Sequence, residues 1–237
     1  MAYKVLNNVS VKDVTSSDLL SLKTDLLVIV INKNTKDKVV NQLAKDVSSH
    51  LKESGSSVLV PNAKSFNAKN VLLVKGFQDS DQIHKLISMY QSIAQKGNQL
   101  KAKDISIMPG TVYPKGKCEM WLIEMVAKTI ESNVYIFSET CNKTAKKPSV
   151  KKLNILVSSL TKSDLIKAKN AAKKGYAIGE GVNSAKYLGD LPANHCTPRI
   201  IEKKVKAMTK DFPKLKVKSF NENQMKKNGY GFIFKCL

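Results

Sequence analysis

Leu26-Leu27-Val28-Ile29-Val30-Ile31 is a run of six apolar residues, the last four of them β-branched. β-Branched side chains favour extended backbone. A continuous apolar run, rather than an alternating one, reads as a strand buried on both faces of a mostly parallel sheet. The theme recurs outward along the chain: Val58-Leu59-Val60 before Pro61, Val71-Leu72-Leu73-Val74 before Gly76, Ile105-Ser106-Ile107 before Pro109-Gly110, Val134-Tyr135-Ile136-Phe137, and Leu153-Asn154-Ile155-Leu156-Val157. Between these runs the apolar residues fall at helical spacing. Residues 36–53 place Val39, Val40, Leu43 and Val47 on one face. Residues 79–96 open with Asp79-Ser80-Asp81 as a cap and continue through Leu86, Tyr90 and Ile93, and 118–131 add Trp121, Ile123, Met125 and Ile130. Strand and helix alternate, which predicts an α/β layered domain.

At 237 residues the chain exceeds the ~100–150 of a typical single domain. The polar stretch Glu139–Val150 reads equally as a linker and as a loop before a last strand. Because Leu153–Val157 supplies that strand, the boundary is placed near residue 160, giving units 1–160 and 161–237. Ser163-Asp164 then caps a long helix through Ala168, Ala172, Tyr176, Val182 and Leu188. Gly175, Gly179 and Gly181 inside it each cost about 1 kcal/mol relative to Ala, which points to a close helix contact or a kink. Gly189 offers a left-handed helix end, followed by the turn Asp190-Leu191-Pro192-Ala193-Asn194. Thr197 is a good N-cap with Pro198 at the first helical position. A helix through Ile200, Ile201, Val205 and Met208, a strand over Leu215–Ser219 and a short helix over Glu222–Asn228 ended by Gly229 would open a second α/β domain.

Forty basic residues against 19 acidic give a formal charge of +21, yet only Arg199 is arginine. Base-edge and bidentate phosphate recognition favour arginine's planar fork, so a lysine-only surplus fits a solvated surface or a coding bias, with nonspecific nucleic-acid affinity as the alternative. The longest apolar run falls far short of the ~20 residues of a membrane span, and the N-terminus lacks a basic segment followed by an apolar core. A cytoplasmic location with no membrane partner is expected. Cys118, Cys141, Cys196 and Cys236 form no metal-binding or redox pair and are expected as free thiols. His50, His84 and His195 are isolated from one another, so no metal or catalytic residue is assigned, and His195 is given a structural or surface role. Glu119 and Glu124, five residues apart, read as a solvated edge, and Met108–Thr111 as a plain turn without phosphate-loop spacing.

The stretch from Lys186 to Pro198 resembles the entry to the catalytic domain of the leucyl (cytosol) aminopeptidase family, whose pattern is roughly Arg/Lys-x-Leu-x-Asn-x-Pro-x-Asn-x-x-Thr-Pro. Lys186, Leu188, Pro192, Asn194, Thr197 and Pro198 fall on it in register, while Asp190 stands where the family usually has Asn. Gly179-Glu180-Gly181-Val182-Asn183 upstream and Met225 to Gly231 downstream extend the match, with Asn228 and Tyr230 departing from it. The resemblance implies a macro-domain-like noncatalytic α/β domain followed by the first helices and strand of the catalytic domain. It further implies metal-dependent removal of N-terminal residues from peptides, two divalent ions (manganese or zinc), and a homohexamer. Because the family's metal ligands follow this motif and only 39 residues follow Pro198, the chain is expected to be truncated and without a cofactor of its own. Some bacterial members of the family also bind DNA, which keeps a basic, nonspecific DNA-binding module as the alternative.

Overall fold

Strand β2 (Thr24–Ile31) carries the six-residue apolar run through the middle of a sheet, and Leu26 to Val30 are all buried. The computed structural model describes residues 5–31, 40, 51, 53–77, 83–111, 113–140 and 147–230. Strand β2 pairs in parallel with β4 (Ala68–Lys75) on one side and β5 (Asp104–Met108) on the other. Beyond β5 lie β6 (Lys152–Val157) and, at one edge, β1 (Asn8–Asp13), both parallel to their neighbours. Strand β3 (Ser57–Pro61) closes the opposite edge, so the six strands run β1-β6-β5-β2-β4-β3.

The pleat sends alternate residues of each strand into two apolar layers. Leu26, Val28, Ile105, Ile107, Leu153 and Ile155 meet α2 (Ile83–Gln99) and α3 (Glu119–Val134) on one face. Leu27, Ile29, Val71 and Leu73 face the other way, toward Leu19 of α1 (Ser16–Ser21), Val40, Leu51 and Phe66. The connection from β2 to β4 therefore contributes to one layer and the helix from β4 to β5 to the other. Around β2 the chain leaves in opposite directions, which makes the gap between β2 and β5 a topological switch point.

Helix α4 (Lys162–Asp190) packs on α3 through Gly175, Gly179 and Asn183, and buries Ala168 and Ala172 in the same apolar core. A Cβ on Gly175 would lie 2.1 Å from the Glu124 carbonyl oxygen, and one on Gly179 would lie 2.7 Å from the Glu131 Cβ, so both glycines mark close approach rather than a kink. Gly181 faces open space. One compact unit runs to Tyr187, past the residue-160 boundary, because α4 buries its small-residue face on that unit; the residues from Leu188 form a second. The second unit holds α5 (Pro198–Asp211) and α6 (Glu222–Lys227), and none of its described residues is buried.

Several expectations are corrected. Val134 is the last residue of α3, and Tyr135 to Ser138 form no strand. The aromatic rings there pack on α4 instead, with Lys186 Nζ 5.9 Å from the Tyr135 ring centroid and Phe137 6.3 Å from Tyr187. Val58–Val60 is a half-exposed antiparallel edge strand rather than a doubly buried parallel one, and Pro61 sits where a missing N–H is harmless. Leu215–Ser219 is irregular, with its lysines exposed, and has no paired strand among the described residues. Gly189 stays inside α4, whereas Gly229, at φ 78°, does end α6. The cap of α4 is Thr161, whose Oγ1 accepts the Asp164 N–H, rather than Ser163. Strand β1 and helix α1 were not anticipated, although Val9 and Val11 alternate with polar residues and Thr15 forms a capping box with Asp18. The helix expected over 36–53 lies, except for Val40, Leu51 and Glu53, outside the described residues, as does the Asp79–Asp81 cap.

Candidate ligand cleft and the turn after the long helix

A cleft of about 660 Å³ opens where the carboxyl ends of four parallel strands converge. Asp13 ends β1, Val30 lies in β2, Met108 ends β5, and Leu156 and Val157 end β6; all line it. In open parallel sheets ligands settle outside the carboxyl ends of the strands at a switch point, and this cleft includes the β2/β5 gap. Leu19 of α1 and Leu122 of α3 add apolar wall, and both are buried. Pro109-Gly110-Thr111 and Ser158-Ser159 form its rim. Ser159 is held at φ 62°, in the left-handed region that a non-glycine residue rarely adopts. The fully buried Tyr90 of α2 hydrogen-bonds with the Gly110 backbone, anchoring the β5–α3 loop from below, and burial pushes its phenol pKa up so that it stays protonated.

Two carboxylates reach this cleft. Glu119, in the first turn of α3, is partly buried; desolvation, reinforced by the negative charge of Asp164, pushes its pKa up. Neither Glu119 nor Asp13 has a hydrogen-bond or ion-pair partner for its carboxylate among the described residues. The reading of Glu119 and Glu124 as one solvated edge is thereby revised: Glu119 turns to the cleft, while Glu124 pairs with Lys174 at 3.1 Å. Met108–Thr111, read as a plain turn, borders the same cleft.

The family-motif residues have separate local tasks. Lys186 Nζ donates to the Ser132 carbonyl at 2.6 Å, tying α4 to the end of α3. Leu188 and Asp190 lie in the last turn of α4. Pro192 accepts from the backbone N–H of His195 at 2.8 Å and of Cys196 at 3.0 Å, closing the turn that contains the exposed Asn194. Thr197 caps α5 by accepting the Ile200 N–H, with Pro198 at the helix start. Cys118 and Cys196 are free; Cys141 and Cys236 lie outside the described residues, as does His50.

A buried network that the sequence reading missed joins three segments. The Glu131 carboxylate, on α3, accepts the backbone N–H groups of Val5 and Leu6, each at 3.0 Å, and Asn183 Nδ2 of α4 at 2.9 Å. The same Asn183 amide reaches the Glu131 carbonyl at 3.0 Å, and Tyr176 Oη donates to the Leu6 carbonyl at 2.8 Å. The available signal was the spacing Gly175, Gly179, Asn183, small or polar residues at every fourth position of one helix face. Three donors favour the charged form, but complete burial outweighs them and the Glu131 pKa is raised.

Among the described residues no group of three or more His, Cys, Asp or Glu side chains could hold a metal ion, so the dinuclear site implied by the resemblance does not fit them. No described helix is long and apolar enough to cross a membrane.

The sheet order, the cleft and the α3–α4 pairing define an α/β sheet protein with an appended helical unit. No protein-family model matches the chain. A probable cytosol aminopeptidase of Pseudomonas fluorescens is 27% identical over 229 residues, covering 90% of this chain and 45% of the relative. The cytosol aminopeptidase of Pseudomonas aeruginosa is 26% identical over 226 residues, covering 89% and 44%. A probable cytosol aminopeptidase of Alkalilimnicola ehrlichii reaches 30% identity over 182 residues, covering 76% and 36%. In fold, the chain matches tomato leucine aminopeptidase with a TM-score of 0.69 at 18% identity, covering 96% of this chain and 46% of that one. The bottromycin maturation enzyme BotP gives a TM-score of 0.63 at 15% identity, covering 87% and 41%. The chain is homologous to the N-terminal part of the leucyl (cytosol) aminopeptidase family. It spans about 45% of the length of the curated relatives it matches.

Proposed function

We propose that this chain supplies the noncatalytic N-terminal domain and the connecting helix of a leucyl-aminopeptidase-like protein, a cytoplasmic hydrolase that removes N-terminal residues from peptides. The observation that carries the reading is similarity to cytosol aminopeptidases along 90% of the chain, coupled with the matching fold. In the whole protein two divalent ions, manganese or zinc, would belong to residues other than the described ones, which offer no metal-holding group. A manganese complex of BotP is among the solved structures the fold resembles. Residues 1–160 then serve as the noncatalytic domain and 161–237 as the connecting helix and the start of the catalytic one. Lys186, Leu188, Asp190, Pro192, Asn194, Thr197 and Pro198 set the helix-to-helix turn between them rather than the chemistry. Homohexamer formation belongs to the same proposal and is supported by Ile166 and Ile178 of α4, 62% and 38% exposed.

The test is hydrolysis of leucyl-p-nitroanilide by the purified 237-residue chain with manganese or zinc added. No turnover is expected from the chain alone. Metal-dependent turnover that co-purifies with it, and is lost on chelation, would overturn the noncatalytic assignment.

A further inference from the structure

The buried network that joins α3, α4 and the Val5–Leu6 segment has more acceptors than hydrogens to serve them. Tyr176 Oη donates to the Leu6 carbonyl at 2.8 Å and also shares a hydrogen bond with the Glu180 carboxyl, one turn further along α4. A phenol has one hydrogen to give. With Leu6 taking it, the contact with Glu180 is satisfied only if the carboxyl supplies a proton. Asn183 spends its amide hydrogens on the Glu131 carbonyl and Oε1, which leaves a buried Oδ1 that accepts nothing from the described residues. Glu131 is fully buried, and among the described residues the one charge acting on it is the negative charge of Glu180. The nearby cations are committed elsewhere: Lys174 pairs with Glu124 at 3.1 Å, and Lys186 Nζ donates to the Ser132 carbonyl at 2.6 Å. Lys128 of α3 is exposed, and Val5 and Leu6 bring only backbone groups. Tyr176 stays protonated, because burial and then Glu180 push its phenol pKa up.

We propose that Glu131 and Glu180 hold one proton between them, and that this proton latches α4 onto α3 and the Val5–Leu6 segment. While it is bound, the carboxyl can donate to Tyr176, Tyr176 donates to Leu6, and the seam buries one negative charge rather than two. When it leaves, like charges share the seam and one acceptor at Tyr176 goes unserved, so residues 176–187 loosen. The closed seam binds the proton more tightly than the opened one, as burial, reinforced by Glu180, raises the Glu131 pKa. The latch is therefore complete below the ordinary glutamate range and is released as pH rises through the raised value of the closed state. It depends on the packing of α4 and not on the proposed peptide hydrolysis, so either can fail alone.

Two readouts on the full 237-residue chain test it. In a carbon-13 titration of the glutamate carboxyls between about pH 4 and pH 8, Glu131 and Glu180 should move together, each reporting the other's step. Hydrogen-exchange protection of amides 176–187, corrected for intrinsic exchange, should fall by up to about tenfold per pH unit across the same window, the linkage of one proton. Glu180→Gln, whose amide can donate to Tyr176 at every pH, should flatten that fall and bring the Glu131 midpoint down. Glu124→Gln, which breaks the Lys174 ion pair between the same two helices, should leave the slope as it is. The proposal is overturned if the two carboxyls titrate independently in the ordinary glutamate range, if protection in the parent does not change with pH, or if Glu180→Gln keeps the parent's slope. The titration of the parent decides the matter even where the variant does not fold.

Discussion

Glu131 sits in the last turn of α3 with its carboxylate fully buried, holding the N–H groups of Val5 and Leu6 against α4. These two N–H groups precede β1 and have no strand partner of their own, so the side chain does what a sheet ladder would otherwise do. Replacing Glu131 with Ala would orphan both, and the expected loss in urea unfolding is about 2–4 kcal/mol. The raised pKa also sets a pH dependence. Because the folded state holds this proton more tightly than the unfolded chain, the stabilisation is present below the ordinary glutamate range and fades as pH rises through it to the raised folded value. Stability of the parent relative to Glu131→Gln should therefore fall as pH is raised from acid toward neutral. A difference that stays flat, or grows with pH, would show that the three donors win over burial.

Helix α4 turns a weak sequence signal into a close helix pair. Alanine favours helix over glycine by about 1 kcal/mol, so every Gly→Ala change in this helix should stabilise it if nothing else intervened. At Gly175 and Gly179 the added methyl would meet the Glu124 carbonyl and the Glu131 side chain, and backbone cannot move aside as a flexible side chain can. Gly175→Ala is expected to lose roughly 2 kcal/mol by overpacking. Gly181→Ala, which faces open space, should gain about 0.5–1 kcal/mol. Thermal unfolding of the two variants side by side checks the opposite signs; a shift in the same direction for both would mean that α4 does not approach α3 as closely as its small-residue face requires.

The whole molecule divides unevenly. The unit up to Tyr187 contains two buried apolar layers, whereas none of the described residues from Leu188 onward is buried, and Phe212, Leu215, Phe220 and Tyr230 are exposed. Elements with little burial open at low free-energy cost. Limited proteolysis should cleave after Tyr187 first and leave a resistant fragment that ends near it. Equal protection of α5 and α6 with the sheet would show that the second unit has a packing surface of its own.

At this scale the division of labour between sequence and tertiary structure is clear. The fold class was legible because a doubly buried parallel strand must be apolar throughout, as Leu26–Ile31 and Val71–Val74 are, and the intervening helices carry one-sided apolar spacing that needs no knowledge of neighbours. Two caps were legible for the same local reason: Thr197 accepts the Ile200 N–H with its own side chain and Gly229 takes its positive φ by itself, whereas the start of α4 fell to Thr161 rather than Ser163. Val134–Phe137 and Leu215–Ser219 misled because apolar or alternating residues report burial or a face, not a pairing partner, and their rings and lysines found helix or solvent instead. The Lys186–Pro198 pattern identified the family relationship but not a site, since its residues perform separate local tasks. The cleft and the Glu131 network were decided only by tertiary structure. Asp13, Glu119 and Ser158 are brought together by the order of strands β1, β6, β5 and β2, and Glu131 meets Val5 and Asn183 across 126 and 52 residues of chain. Such contacts depend on which strand ends lie side by side, and local sequence carries no record of that.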